Sequence, residues 1–205
     1  MVEQTAQRLE QLGHEIVPID VPVDLRFSDD FALYWGMLAF GVRLAGKRLI
    51  QEDFDRKKVD DLTLGLDRMF RRRILKVPGA MKRLRHAAKT YAAAISGLDA
   101  VLTPTVGHTT PGIGHLKPDQ PFEVLFEKLR AYACFTPVAN VTGAPAISVP
   151  ADVTDTGLPV SVQLMGRHGD ERTLLDLAYT LEQDNAWFRY RDQLLDERMS
   201  PVLVR

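Results

Sequence analysis

The sequence predicts an α/β chain, a mixed sheet flanked by helices. Three observations carry that prediction. The runs 146–149 and 160–165 are rich in β-branched residues and stand one short polar loop apart, with Asp155 and Gly157 in that loop. The stretches 31–51, 60–76 and 78–95 read as helices from their apolar spacing. The 205 residues are 45% hydrophobic, enough to bury a core in a soluble globular protein.

Taken in order, Val2, Ala6, Leu9 and Leu12 form a helical stripe that Gly13 stops, and 14–19 continues as a strand. The helix over 31–51 carries Gly36, Gly41 and Gly46. Each glycine weakens a helix by about 1 kcal/mol, so that density predicts close packing against a neighbour rather than exposure. The helix over 60–76 ends at Val77-Pro78, because the residue before a proline is driven out of helical geometry. Pro78 suits the first turn of the next helix, which runs to Ile95 with Met81, Leu84, Ala88, Tyr91, Ala92 and Ile95 on one face. A short buried-type strand at 99–103 ends at Pro104 and enters the loop PTVGHTTPGIGH.

Asn140, Gly143 and Pro145 then read as an Asn-x-x-Gly-x-Pro turn feeding the strand 146–149, which Pro150 stops. In the strand 160–165, Val160, Val162 and Leu164 point one way and Ser161, Gln163 and Met165 the other. Gly166 ends it, and Asp170 caps a last helix whose Leu174, Ala178 and Leu181 face inward. Trp187 reads as a core plug before a charged tail. The four strands are expected in one sheet, the last two antiparallel across the Asp155 loop. No repeat, low-complexity tract or linker interrupts the chain, so a single domain over 1–205 is expected.

Composition bounds the partners. The net charge of −1 favours no charged partner for the surface as a whole. Cys134 is the one cysteine, so no intrachain disulfide forms, which fits a reducing cytoplasm. The opening MVEQTAQRLEQLG is polar and lacks the apolar core of a secretory signal, and no apolar run is long enough to span a bilayer. Asn140-Val141-Thr142 therefore matches a glycosylation sequon by chance. The expectation is a cytoplasmic protein without membrane or nucleic-acid partners.

Several motifs invite chemistry and give a plainer reading. Acyl transfer by serine needs a nucleophile on a sharp exposed turn, a base in reach and backbone donors for the oxyanion. None of Ser28, Ser96, Ser148, Ser161 and Ser200 lies in a Gly-rich loop, and no two are adjacent, so no catalytic residue is assigned. Lys47 or Lys57 as a base would lack a nucleophile. Gly41 to Lys47 matches the start of a phosphate-binding loop, but Arg48 stands where its Ser/Thr belongs and the context is helical. His108 and His115 flank a Gly-Ile-Gly turn without further ligands, so they read as loop histidines and no metal is assigned. Cys134 reads as a buried, inert thiol. The cations Arg71, Arg72, Arg73, Lys76, Lys82, Arg83, Arg85 and Lys89 read as a solvated helix face.

The order N-x-x-G-x-P, strand, loop, G-L-P-V-x-V-Q, strand, Gly, helix resembles the C-terminal signature of the amidase family. RLEQLGHEIVPID and the LTPT after Asp99 resemble that family too, so the likeness covers nearly the whole chain. The family consists of serine hydrolases with a Ser–cis-Ser–Lys triad on a Gly/Ser-rich loop, and no such loop occurs here. The resemblance implies the C-terminal part of a hydrolase of amide C–N bonds, without a cofactor, acting on a small-molecule amide in the complete enzyme. It implies that Thr136, Ala139, Asn140 and Gly143 run beside the substrate pocket, with the loop 106–115 near its mouth. For Asn140 and Gly143 the plainer roles are satisfying backbone groups at a turn and allowing positive φ. A missing N-terminal portion, or self-association, would then cover an open strand edge and apolar surface. Two other readings stand beside this one: a non-catalytic interaction protein, and a fragment of a glutamine-hydrolysing amidotransferase subunit.

Overall fold

The β-branched runs pair as the short loop between them requires. In the computed structural model, which describes residues 1–20 and 23–184, the strands are β1 (Ala100–Pro104), β2 (Ala146–Val153) and β3 (Pro159–Gly166). The helices are α1 (Val2–Gln11), α2 (Phe27–Leu49), α3 (Asp61–Arg72), α4 (Val77–Ala94), α5 (Phe122–Tyr132), α6 (Pro137–Thr142) and α7 (Glu171–Gln183), with a 3-10 turn at Ile74–Lys76. The α/β class holds. The chain forms two units, each assembled from separate stretches. Trp187, Ser200 and the charged tail lie outside the described residues.

The first unit holds residues 1–19, 95–105 and the chain from 144 onward. Its sheet has the order β1-β3-β2 and is antiparallel throughout among the described residues, not mixed. The expected strand at 14–19 is unpaired; Pro18 removes a ladder donor there, and only Ile16 packs against the core. β2 also runs past Pro150 to Val153. As an outer strand it tolerates the missing N–H, and its register shifts between Pro150 and Asp152. One apolar cluster joins Leu9 of α1, Val149 of β2, Val162 and Leu164 of β3, and Leu174, Ala178 and Leu181 of α7. The helical spacing read in α7 is thus the spacing it buries. β3 is covered more fully than a one-faced alternation predicts: Val162 through Gly166 are all buried.

The second unit holds residues 20–94 and 106–143 and is helical. α2 begins four residues earlier than the apolar run, at Phe27, and feeds three clusters. Ala32 and Ala39 meet Leu66 and Phe126, Leu33 meets Phe70 and Ala80, and Phe27 meets Leu84 and Ala87. Its glycines pack as predicted in two of three cases. A Cβ on Gly36 would stand 2.9 Å from the Leu66 carbonyl, the Phe54 ring fills the space over Gly46, and Gly41 faces open space. The helical context of 41–47 rules out a phosphate-binding loop there. α4 buries Ala80, Leu84, Ala87 and Tyr91, followed by Ile95, so its inner face is rotated from the predicted one and leaves Ala92 exposed.

Charge is built into this unit. Asp30 is 5% exposed and accepts Arg83 Nε at 2.6 Å and Nη2 at 2.7 Å. Asp67, 2% exposed, accepts Arg43 and Arg71. Arg71 keeps the solvated position predicted for it, at 56% exposure, while Arg83 is half-buried; each neutralises a buried carboxylate that would otherwise be costly. Arg72, Arg73, Lys76, Lys82, Arg85 and Lys89 are exposed as expected.

Candidate functional site

The expected turn around Asn140 is a helix. Pro137 at its first position has the φ that opens a helix, and Gly143 closes it with φ 72° and ψ 13°, the left-handed geometry that glycine adopts without strain. The Gly143 N–H donates to the Ala139 carbonyl at 2.9 Å, and the Thr142 hydroxyl donates to the Val138 carbonyl at 2.8 Å. Val138 and Val141 pack toward Phe27, Leu84 and Ala87.

Thr136, Ala139, Asn140 and Gly143 stand at positions i, i+3, i+4 and i+7, so the spacing lines all four along one side of α6, with Thr136 as its N-cap and Gly143 as its C-cap. Thr136 and Ala139 are half-buried, and Asn140 and Gly143 are exposed. Asn140 does not satisfy a turn: its own N–H donates to the Thr136 carbonyl at 3.4 Å, within the helix. Its carboxamide, with donors and an acceptor, projects from an exposed helical position. An exposed carboxamide can donate and accept hydrogen bonds at once.

The loop 106–121 precedes α5 in the same unit and is tethered to it. The Gly107 N–H donates to the Tyr132 carbonyl at 2.8 Å, and a Cβ there would collide with the Ala131 carbonyl. Lys128 Nζ donates to the His115 carbonyl at 3.2 Å and to Gln120 Oε1, while Gln120 Nε2 donates to the His115 and Lys117 carbonyls at 2.9 Å each. His108 lies 4.9 Å from the Tyr132 ring and 6.2 Å, edge to face, from His115. Its Nδ1 lies 2.8 Å from the Thr109 carbonyl, which can only accept, so Nδ1 donates there.

Cys134 is exposed rather than buried. The end of α5 turns it outward, with its sulfur against Gly107, and that partial burial pushes the thiol up from its ordinary pKa. It is neutral near pH 7 and a poor nucleophile despite its exposure.

In the sheet unit, the register aligns Thr103 of β1, Gln163 of β3 and Ser148 of β2 in one row. Gln163, 4% exposed, donates to Thr103 Oγ1 at 3.3 Å, and Ser148 Oγ lies 3.1 Å from Thr105 Oγ1. This polar ladder escaped sequence reasoning. The alternation in β3 put Gln163 on the face away from Val162 and Leu164, but only the register shows that hydroxyls flank it on both sides. The row offers donors and acceptors, not a reacting pair: Ser148 shares its hydrogen bond with Thr105, and Ser28 accepts Arg130 Nη2 at 2.9 Å. Among the described residues no serine hydroxyl is hydrogen-bonded to a lysine or histidine. The arrangement can bind and orient; it cannot by itself activate a serine.

A sequence profile of the family described as Amidase matches residues 1–175. A Mycobacterium leprae (strain TN) protein named as an amidase, AmiC, is 41% identical over 187 residues, which cover 91% of this chain and 40% of that protein. A glutamyl-tRNA(Gln) amidotransferase component from Parvibaculum lavamentivorans is 42% identical over 96 residues, 47% of this chain and 18% of the relative. The solved structure of 6-aminohexanoate cyclic dimer hydrolase complexed with substrate superposes with a TM-score of 0.75 at 24% identity. It covers 89% of this chain and 40% of its own, a likeness of fold. The chain spans about two fifths of the length of the AmiC proteins it matches. Among the described residues no helix is long and apolar enough to cross a membrane.

Proposed function

Because this chain belongs to the amidase family, we propose that it is the C-terminal part of an amide-bond hydrolase, supplying core and pocket wall to an active site whose nucleophile and base lie elsewhere in the complete protein. The observation that carries this reading is the single face of α6 shared by Thr136, Ala139, Asn140 and Gly143. The small residues leave room for a ligand to approach the helix, and the Asn140 amide is the group that would hold a substrate amide in register. The loop 106–115 is the rim in this reading. We place the enzyme in the cytoplasm on its single cysteine, with the two units acting as one domain once completed.

The general amidase reading is favoured over the amidotransferase reading by extent. The AmiC likeness runs over 91% of the chain and the amidotransferase likeness over 47%. We take a small-molecule amide as the substrate class.

The test is complementation. The 205-residue chain is mixed with a separately expressed Gly/Ser-rich portion of an AmiC-type relative and assayed on short aliphatic and aryl amides. Hydrolysis by the mixture and by neither part alone is expected. Asn140→Ala in the mixture should raise KM about tenfold, the loss of one hydrogen bond to bound substrate. Turnover by this chain alone that disappears with one serine substitution would overturn the reading.

A further inference from the structure

The helical unit carries a pocket that the amide-hydrolase reading does not use. It opens between α2, the loop after it and α3, has a volume of about 390 Å³, and is lined by Arg43, Leu44, Arg56, Lys57 and Arg71. Four of these five residues are cations and none is a carboxylate, in a chain whose net charge is −1. Such a concentration is local, not compositional.

Two of the guanidiniums are held in place. Asp67 accepts Arg43 Nη1 and, at 3.0 Å, Arg71 Nε, and Arg71 also lies 4.6 Å from the centre of the Phe40 ring. Both terminal nitrogens of Arg71 are left free of Asp67. The loop bearing the other two cations is anchored to α2. Arg43 Nε donates to the Arg56 carbonyl at 3.2 Å, and Phe54 packs over Gly46. Asp55 Oδ1 accepts the Lys57 N–H at 2.9 Å and fixes the turn. The Arg56 and Lys57 side chains have no ion-pair partner among the described residues. Asp67 thus answers Arg43 and Arg71, while Arg56 and Lys57 line the same concavity without an ion pair among the described residues, an excess of positive charge that a multivalent oxyanion would neutralise.

We propose that this pocket binds the phosphate group of a small phosphate monoester. The volume exceeds what bare phosphate needs and lies in the range of small-molecule sites. An adjoining cavity of about 410 Å³ shares Arg43, Leu44 and Arg56 and adds Lys47, the Phe54 ring, Asp53 and Asp55. Phosphate takes the guanidinium forks, which match its oxygens two at a time. The organic part lies against Phe54 and Leu44, with its hydroxyls toward Asp53 and Asp55. Gly41 to Lys47, which mimics a phosphate loop in sequence, contributes through side chains on a helix and not through backbone N–H groups. The proposal is independent of the amide-hydrolase reading.

Calorimetric titration of the full 205-residue chain at constant ionic strength tests it with inorganic phosphate, glucose 6-phosphate and glucose as probes. Glucose 6-phosphate is expected to bind with a Kd of about 1 mM or tighter, phosphate more weakly, and glucose not at all. Arg56→Gln and Lys57→Gln should each weaken binding about tenfold without lowering the ligand-free melting temperature, because each removes a repelling charge. Lys89→Gln on α4 should change nothing. In the unaltered chain, glucose 6-phosphate should protect Arg56, but not Arg85, from phenylglyoxal as read by mass spectrometry, which keeps the test independent of variant folding. No heat from either phosphate at about 10 mM, or binding unchanged by both loop variants, would overturn the proposal. So would binding only to an RNA oligonucleotide that Lys89→Gln weakens equally, since that marks a general basic face.

Discussion

The sheet unit and the helical unit bury their chains in different ways. The sheet unit gathers Leu9, Val149, Val162, Leu164 and the α7 leucines into one cluster, and its polar row faces hydroxyls and an amide. The helical unit divides its apolar residues among three clusters around α2 and seats two carboxylates, Asp30 and Asp67, among arginines. The first relies on a continuous apolar centre, the second on apolar contacts punctuated by charge pairs. A continuous centre makes the cost of a lost methyl group large, because neighbours cannot move in to fill the gap. A charge pair makes the cost depend on which partner is removed.

The largest effect should follow from Leu164→Ala. Leu164 is 1% exposed on the central strand, and its truncation is expected to cost about 3 kcal/mol, read as the loss of unfolding free energy in urea. A cost below about 1 kcal/mol would mean that the cluster collapses onto the gap and that the contrast with the helical unit is false.

A smaller effect is expected at Asp67. Asp67→Ala leaves Arg43 and Arg71 without their shared carboxylate, but their side chains are 20% and 56% exposed and turn to water. The expected loss is about 2 kcal/mol, below the roughly 3–5 typical for breaking a fully buried pair. Arg71→Ala, removing the more exposed partner while Arg43 remains on Asp67, should cost about 1 kcal/mol or less. Equal losses from the two variants would show that the ion pair, not the buried carboxylate, is what the unit depends on.

The same contrast explains what the sequence made legible. Sheet elements that rest on local rules were readable: the pairing of β2 and β3 from their short separation, and the inward face of α7 from its period. The 14–19 run met the strand pattern but lacked a partner, and pairing is not a local property. α6 was misread as a turn because six residues are too few for a period to emerge, although Pro137 and Gly143 were its start and stop signals. The four residues singled out there were found through the family likeness; their common face is visible only once the segment is helical. Asp30 and Arg83 are 53 residues apart, so nothing local marks either as buried. Cys134 was placed inside because its neighbours are apolar, and the close of α5 turns it outward.

The smallest effects should come from the aspartates that open a helix in each unit, and they separate two ways of holding a charge. Asp170, before α7, accepts Arg167 Nη2 at 2.8 Å and the Thr173 hydroxyl at 2.8 Å. Arg167 first, then Thr173, holds its carboxyl below the usual range against a weak opposing effect of burial. Asp60, before α3, is also held low; burial works against it, and the Thr63 N–H and hydroxyl at 2.9 and 2.7 Å, with the Asp60 and Leu62 N–H groups, together outweigh that burial. In both, the native pKa lies below the unfolded value of 3.8. Each contribution is therefore complete above that pH and is lost as pH falls through the native value. The melting-temperature gap between the unaltered chain and Asp170→Ala or Asp60→Ala should be constant near neutrality and close in acid. Salt distinguishes the two. The Asp170 pair includes an Arg167 side chain that is 47% exposed, so its gap should shrink as ionic strength rises. Asp60 is bound by neutral donors, so its gap, about 1 kcal/mol for a lost cap, should persist. If both gaps respond to salt alike, the distinction between an aspartate held by neutral donors and one held by an ion pair does not hold here.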